Sequence, residues 1–409
     1  MADVVFRKGL GLKADVRGKL IEDFHASGVI RWLRSNGLAL ERGGLTLRLA
    51  RELGFCYGVE RTVQYAYETL ERFPDRPIYI TDEVIHNPQV NERLQDLGMR
   101  FLKGRYACGK SMDDLSPSDV VLITAFGSTV EEMNRLKARG SVLVDTTCGS
   151  VLNVWKNVER YAREGVTAVV HGKIAHEETM ATVSQVRKYP GGRYIVVRDL
   201  AETDVVAEYI RRGGDREAFL AKFAKAASTP FDPDLDLGRL GLANQTTMLS
   251  SESMEVQRRL RQAIVDRHGE AEAARRVIAF DTICSATQDR QDAALEMLNG
   301  HALDLAIVVG GYNSSNTGHL AELCAERIPA YHVENETSLV SGVEIDHWAH
   351  PAGGVVRTRD WLKAGPVRVG LTWGASTPDN IAGRVIQRLY ALRGVSLDDL
   401  DAPPAPVQG

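Results

Sequence analysis

The chain has 409 residues, of which 44% are apolar and 25% are charged, and its formal net charge at pH 7 is -4. This composition is typical of a soluble globular protein with two or three domains, and the slightly negative charge argues against nucleic-acid binding. No apolar run reaches the length of a membrane span, and residues 1–44 resemble neither a secretion signal nor a transit peptide. Five cysteines, an odd and widely spaced set, favour a reducing cytoplasm over a disulfide framework.

Short apolar strands alternate with helices from Leu45 onward. This alternation predicts the α/β class, with parallel sheets covered by helices. Before it, residues 1–44 are predicted to be an N-terminal extension without chemistry of its own, with one candidate helix at Lys19–Leu33. The predicted divisions are a first lobe at 45–147, a second lobe at 148–283 with a charged insertion at about 201–240, a third lobe at 284–396, and a proline-rich tail at 397–409.

Three predicted strand-to-helix junctions each carry a cysteine, namely Cys56, Cys148 and Cys284. The exposed N–H groups at the start of a helix favour an anionic thiolate. Three thiolates can hold a zinc ion or a 4Fe-4S cluster, in either case with one position that the protein does not fill. The other two cysteines, Cys108 in a polar loop and Cys324 within a helix, are interpreted as structural.

Two local boundaries follow from residue types. Around Cys284, the apolar run Val277–Phe280 predicts a strand, and Ser285–Leu298 predicts a helix that stops at Asn299-Gly300. After an earlier apolar strand, Ser128 and Glu131 have the spacing of a capping box and predict the start of a helix. In both places, the predicted helix follows the carboxyl end of a predicted strand along the chain.

Most of the unusual polar motifs fall at the predicted carboxyl ends of strands, where ligands bind in parallel sheets. These motifs are His86-Asn87, Phe126-Gly127, His171 and His176, Gln245-Thr246-Thr247, Asn313–Asn316 and Ser376. Their shared position is stronger evidence for a site than any motif alone.

The polar motifs suggest two kinds of chemistry. Asn313–Asn316 and Gly374–Thr377 offer hydroxyls, amides and helix starts that together can hold a phosphate or diphosphate, although ordinary helix capping is the better explanation of each motif taken alone. His86 and His176 are candidates for handling an anion or a proton. A His-Glu-x-x-His motif is absent, so a zinc peptidase is unsupported.

The motifs GFCYGVERTV, IHNPQV, DTTC, HEETMAT, NQTTM, DTICSATQDRQ, VVGGYNSSN and GASTPDNI occur in this order. Together they resemble the 4-hydroxy-3-methylbut-2-enyl diphosphate reductase family, from about Thr46 to Leu392. The length, Phe126 and the phrase HGKIAHEET are more similar to its longer plant and cyanobacterial branch. Members catalyse the last step of the non-mevalonate isoprenoid pathway, in which two electrons and two protons convert the substrate to isopentenyl and dimethylallyl diphosphate.

The resemblance implies a fold of three α/β lobes in a trefoil around a central iron–sulfur cluster, with residues 45–56 packing with the third lobe. It implies one 4Fe-4S cluster with three cysteine ligands, Cys56, Cys148 and Cys284, and one open iron. It also implies an external electron donor of the ferredoxin or flavodoxin type and a cytoplasmic monomer or homodimer, with no nucleic acid and no membrane as partner.

The same resemblance implies the roles of individual residues. The implied catalytic residues are Glu178, His176, Thr246 and Thr247. The implied substrate-binding residues are His86, His176, Thr246, Thr247, Ser314, Ser315, Asn316 and Ser376. Adjacent residues cannot easily share a face, so only one of Glu177 and Glu178 is expected to point into the site. A carboxyl beside an anionic cluster and a diphosphate is expected to have a raised pKa and to carry a proton.

Two departures from the family pattern bear on the diphosphate site. Phe126 stands where many members have a histidine that binds the diphosphate, and Gly149 follows the second cysteine where proline is usual. Two other functions are compatible with three thiolates: a non-redox hydro-lyase that uses the open iron as a Lewis acid, and a cluster-bearing sensor without a substrate. The polar strand ends argue against the sensor.

Overall fold

The computed structural model describes residues 5–278 and 283–401. Its strands are β1 Val5–Phe6, β2 Ala39–Arg42, β3 Leu45–Leu49, β4 Ile78–Ile80, β5 Arg100–Phe101, β6 Val120–Ile123, β7 Val142–Asp145, β8 Thr167–His171, β9 Tyr194–Val197, β10 Leu240–Asn244, β11 Val277–Ile278, β12 Leu305–Val309, β13 Ala330–Val333, β14 Glu344–Trp348, β15 Val355–Arg359 and β16 Val367–Trp373.

Its α-helices are α1 Lys13–Leu20, α2 Gly28–Ser35, α3 Tyr57–Arg72, α4 Pro88–Asp96, α5 Val130–Ala138, α6 Gly149–Arg163, α7 Glu177–Val186, α8 Leu200–Arg212, α9 Arg216–Lys222, α10 Pro233–Asp236, α11 Ser250–His268, α12 Glu270–Arg276, α13 Ser285–Gly300, α14 Ser315–Ala325, α15 Asp379–Ala391 and α16 Asp398–Asp401. Within the described ranges, no helix combines the length and apolarity needed to cross a bilayer. The predicted α/β class is confirmed.

The described residues form two compact units. Among the described residues, the first unit draws on 5–8, 75–83, 99–278 and 283–285, and the second on 9–74, 84–98 and 286–401. The second unit is therefore assembled from segments that are distant in the chain.

The first unit holds two parallel sheets, with strand orders β1-β7-β6-β4-β5 and β11-β10-β8-β9. Strands such as β8 are apolar on both faces because helices cover both sides. Val169 packs in the cluster that includes α8 and α11, whereas Ala168 and Val170 pack in the cluster with α6 and α7. The polar residues that follow β7, β8 and β10 therefore lie at the carboxyl ends of buried parallel strands.

The second unit holds one sheet of order β15-β14-β13-β12-β16-β3-β2. Its central strands from β13 to β3 are parallel, and antiparallel strands flank them on both sides. β3 pairs with β16 in the register Leu45 to Val367, so the segment that leads to Cys56 is part of this sheet. The buried faces of β12 and β16 pack against α2 and α15 in the main apolar cluster.

The N-terminal extension differs from the prediction of one helix at Lys19–Leu33. That stretch contains the end of α1, a π-helical turn at Ile21–His25, and most of α2. The break occurs because Ser27 adopts an extended conformation and its hydroxyl accepts the N–H of Ile30, which caps a new helix.

Two predicted helix boundaries were wrong by a short distance. Thr129 and Glu132, not Ser128 and Glu131, form the capping box of α5. α13 continues through Asn299-Gly300 instead of stopping before them. Of the strand predicted at Val277–Phe280, the first two residues form β11, and residues 279–280 lie outside the described ranges, as does the Asp281-Thr282 pair.

Candidate active site

Two of the predicted metal-binding cysteines lie close together in the first unit. Cys148 is the N-cap of α6, and Cys284 directly precedes α13. The hydroxyl of Ser150 donates a hydrogen bond to the Cys284 Sγ at 3.3 Å. Burial raises the pKa of the Cys148 thiol, and the negative charge of Cys284 raises it further, whereas the Ser150 N–H acts in the opposite direction. Because burial disfavours the charged form of a thiol, Cys148 and Cys284 need a bound cation in order to ionise together.

Cys56 lies in the second unit and is the N-cap of α3. Its Sγ accepts the N–H of Val59 at 3.5 Å, and its own N–H donates to the carbonyl of Ala375 at 3.2 Å. The preceding loop turns at Gly54, where φ is +83° and a Cβ would lie 2.8 Å from the Asp379 carboxylate. Only glycine fits this turn, which fixes the approach of the chain to Cys56.

Glu178 is the buried carboxyl of the first unit's site, with 1% of its surface exposed. One carboxylate oxygen accepts the N–H of Thr246 at 2.6 Å, and the other accepts the Thr246 hydroxyl at 2.9 Å. Glu177 is partly exposed, and its carboxylate lies 3.7 Å from the His176 Nδ1. The adjacent carboxyls therefore face different surroundings, with Glu178 buried and Glu177 partly exposed.

Thr246 also contacts the cysteine pair. Its backbone carbonyl accepts the N–H of Cys284 at 3.5 Å, while its N–H and hydroxyl are directed at Glu178. A single residue at the carboxyl end of β10 thus connects the buried acid with a predicted cluster ligand.

Gln245 is a site residue that the sequence interpretation did not assign a role. Its side-chain oxygen accepts the N–H of Lys173 at 3.1 Å and the Thr179 hydroxyl at 3.2 Å, and its amide donates to the Thr247 hydroxyl at 2.9 Å. It therefore ties the ends of β8 and β10 together and orients Thr247. In the sequence, only its position in the strand-end motif NQTT could have indicated that Gln245 is a site residue.

His176 is the N-cap of α7, and its Nδ1 accepts the N–H of Glu178 at 3.2 Å. The ring of Phe126 packs edge-on against the imidazole, with 5.4 Å between ring centroids. Since the side chain at position 126 is apolar, it supports the His176 ring by packing and offers no hydrogen bond of its own.

The anion loop, defined here as residues 310–316, consists of the connection between β12 and α14 and the first two residues of α14 in the second unit. Ser314 caps α14 by accepting the N–H of Thr317, so its capping role is real. The Ser376 hydroxyl lies 3.4 Å from the Ser314 hydroxyl and 3.3 Å from the His86 carbonyl. The His86 Nδ1 lies 3.3 Å from the amide of Asn313. The loop thus gathers the predicted anion-binding residues of this unit.

Asn316 has an unused donor. Its side-chain oxygen accepts the N–H of Ala375 at 2.9 Å, whereas its buried amide nitrogen has no hydrogen-bond partner within the described residues. Buried polar groups are normally paired, so an orphan N–H₂ indicates a site for an external acceptor. A diphosphate oxygen is such an acceptor.

The predicted site residues are divided between the units. The first unit holds Cys148, Cys284, His176, Glu178, Thr246 and Thr247, and the second holds Cys56, His86, Ser314, Ser315, Asn316 and Ser376. Cys108 is exposed, and Cys324 is buried inside α14, where burial raises its pKa to about 12. His171 is also buried, and its Nδ1 contacts the Ser253 hydroxyl at 2.8 Å.

The chain matches the model of a family described as LytB protein over residues 47–390. It is 47% identical over 395 residues to the 4-hydroxy-3-methylbut-2-enyl diphosphate reductase of Gloeobacter violaceus, with 95% of this chain and 93% of the relative covered. It is 44% identical over 391 residues to the enzyme of the same name from Nostoc sp. strain PCC 7120, with 95% of each chain covered.

Solved structures agree with these relatives. One is an (E)-4-hydroxy-3-methyl-but-2-enyl diphosphate reductase described as the terminal enzyme of the non-mevalonate pathway, with a TM-score of 0.51, 27% identity, and coverage of 84% of this chain and 99% of that one. The reductase structure from Plasmodium falciparum has a TM-score of 0.61 at 21% identity, covers 83% of this chain and 86% of that one, and supports the fold alone. The family model and the relatives span nearly the whole length, and the chain therefore belongs to the LytB family of 4-hydroxy-3-methylbut-2-enyl diphosphate reductases.

Proposed function

We propose that this chain reduces 4-hydroxy-3-methylbut-2-enyl diphosphate to isopentenyl diphosphate and dimethylallyl diphosphate. The reaction breaks the allylic C–O bond, consumes two electrons and two protons, and releases the hydroxyl oxygen as water. The observation that carries the proposal is the double contact of Thr246, which binds the Glu178 carboxyl and accepts the N–H of Cys284. Thr246 thus holds a proton donor, Glu178, near a proposed cluster ligand, Cys284, which suits a reaction that needs both protons and electrons.

Cys56, Cys148 and Cys284 would hold the iron–sulfur cluster of this family, as a 4Fe-4S cluster with one iron free of protein ligands. The donor set fits this group, because all three thiols are partly buried at the start of helices and soft thiolates suit iron–sulfur clusters. When bound, the cluster supplies the electrons and a Lewis-acidic iron.

Glu178 is the proposed proton donor. Its burial and its two bonds to Thr246 hold the carboxyl in one orientation, so a proton on the oxygen that faces the Thr246 hydroxyl has a defined direction. The Thr246 hydroxyl can both donate and accept, which allows it to pass a proton onward. Two further polar contacts to the substrate are proposed. One is His176, which caps the same helix as Glu178, and the other is Thr247, which Gln245 orients.

The anion loop is proposed to bind the diphosphate together with His86 and Ser376. Hydroxyls of Ser314 and Ser315, the orphan amide of Asn316 and the N-terminus of α14 all favour a negatively charged ligand. Phe126 removes one cationic contact that many members of the family make. We therefore propose that the second unit supplies most of the diphosphate contacts in this chain.

The electron donor is proposed to be a small redox protein of the ferredoxin or flavodoxin type, as the family resemblance implies. A reducing compartment, the cytoplasm, is proposed because three thiols must stay reduced for cluster assembly. The proposed assembly state is a monomer or homodimer.

Anaerobic purification tests the proposed function. We expect about four iron atoms per chain, a broad visible absorption typical of a 4Fe-4S cluster, and turnover to both products only when a low-potential reductant is present. Turnover without any electron donor would instead support a non-redox hydro-lyase. An intact cluster without turnover, in the presence of reductant and substrate, would support a sensor.

Changing Asn316 tests the diphosphate site. Asn316→Asp keeps the oxygen that accepts the Ala375 N–H but replaces the orphan amide by a charged oxygen that repels the diphosphate. We expect KM for the substrate to rise, with a loss of binding free energy of about 1.5–3 kcal/mol, the usual value of a hydrogen bond to a charged group. The cluster absorption should stay unchanged.

Asn316→Ala, measured beside it, removes the contact with the Ala375 N–H as well and should also lower the melting temperature. If Asn316→Asp has the parental KM, the loop does not bind the diphosphate.

A further inference from the structure

Two histidines, the buried His332 and the partly buried His350, lie next to the anion loop in the second unit. The Nε2 of His332, on β13, lies 3.0 Å from the carbonyl oxygen of Gly310, the first residue of the loop. The Nδ1 of His332 lies 3.0 Å from the Nε2 of His350. The Nδ1 of His350 in turn lies 3.4 Å from the Glu322 carboxylate. The four groups form one chain of polar contacts that ends on the backbone of the loop.

The contacts assign the tautomer of His332. A carbonyl oxygen only accepts, so the Nε2 of His332 must carry the hydrogen. Burial lowers the pKa of His332 to about 3, with the electrostatic influence of His350 as a further cause, and the ring is therefore neutral. Its Nδ1 is then an acceptor, and it lies against the His350 Nε2, while the other nitrogen of His350 contacts the Glu322 carboxylate. The contact with His350 thus orients the His332 ring so that its Nε2–H faces the loop.

The loop has little freedom at the point of this contact. Gly310 has a φ of +153°, and a Cβ there would lie 2.6 Å from the hydroxyls of Thr317 and Thr377. Its N–H donates to the Val333 carbonyl, so both polar groups of its backbone are bound to β13. Two residues later, the ring of Tyr312 packs edge-on against His332, with 5.3 Å between ring centroids.

We infer that His332, oriented by His350, is a positioning residue for diphosphate binding, because its Nε2–H holds the Gly310 carbonyl and thereby sets the direction in which the anion loop leaves β12. This inference rests on the proposed function of the loop. His332 touches neither the anion-binding side chains nor the cluster cysteines through any contact described above. Its loss should therefore weaken substrate binding without slowing the chemical step.

Two near-isosteric variants separate the donor at Nε2 from the ring itself. The amide of Gln reaches the position of Nε2, whereas the amide of Asn reaches only that of Nδ1. We expect His332→Asn to raise KM on the order of ten-fold, as loss of one buried hydrogen bond implies, with kcat and the cluster absorption unchanged. His332→Gln should restore most of the parental KM. His347→Gln is the control, since His347 lies on β14 and its Nε2 contacts the Thr358 hydroxyl.

Binding of inorganic diphosphate to the holoenzyme, measured by calorimetry, should follow the same order of variants. A parental KM in His332→Asn, or no recovery in His332→Gln, would overturn the positioning role while leaving the proposed function intact. No binding of diphosphate by the parent protein would overturn both. Nitrogen chemical shifts of ¹⁵N-histidine in the parent, assigned with His332→Gln, should show the Nε2–H tautomer at His332. The opposite tautomer would refute the inference even if the Asn variant fails to fold.

Discussion

Replacement of Cys284 by Ser should strip the iron–sulfur cluster from anaerobically purified protein. A serine hydroxyl is a hard ligand that stays protonated at neutral pH, so it replaces a soft thiolate poorly. The same result is expected for Cys56→Ser and Cys148→Ser, because a cluster with only two thiolate ligands is weakly held. Iron per chain, the visible absorption, and the electron-resonance signal after reduction measure the loss directly.

The remaining cysteines are matched controls. Cys108→Ser changes an exposed thiol, and Cys324→Ala changes a thiol buried in α14 whose raised pKa keeps it neutral. Both variants should keep the parental iron content. Loss of iron in either variant would contradict the ligand assignment, and so would one zinc per chain with no iron.

Glu178→Gln should reduce turnover by roughly 10²- to 10⁴-fold, the usual contribution of a positioned acid. The amide keeps the size of the carboxyl, and its oxygen can still accept the Thr246 N–H. The Thr246 hydroxyl can turn to accept from the new amide, so the local structure should survive. What the variant lacks is a transferable proton. Turnover measured with a saturating chemical reductant in place of the protein donor isolates this step from electron delivery.

Glu177→Gln is the control for this experiment, because its carboxylate is partly exposed and belongs to the same helical turn. It should turn over at nearly the parental rate. If Glu178→Gln retains parental turnover, or if Glu177→Gln is the slower of the two, the proton donor has been assigned to the wrong residue.

The position of the cysteines could be predicted because it depends on local sequence. An apolar run that ends at Asp145, followed by Thr146-Thr147, places Cys148 at the N-cap of α6 and at the carboxyl end of a parallel strand. The choice of Glu178 over Glu177 as the buried carboxyl came from the family resemblance, and the structure buries Glu178. The functional roles of these residues stay predictions.

Contacts between distant segments could not be predicted. The role of Gln245 depends on Lys173 and Thr179, and that of His332 depends on Gly310 and His350, so no local pattern marks either residue. The shift of the α5 capping box by one residue has a different cause. Ser and Thr cap equally well when Glu follows three residues later, and the chain offers both registers side by side.

The strand order of the second unit determines how early during translation its sheet can form. A ribosome makes β3 and Cys56 early, but β3 pairs on one side only with the neighbouring β2 and on the other with β16, which is made near the end. A two-strand hairpin alone is marginally stable. The two sheets of the first unit need no residue beyond β11, so they can fold while translation continues. If Cys56 is a cluster ligand as proposed, we expect iron loading through it only after translation has passed Trp373.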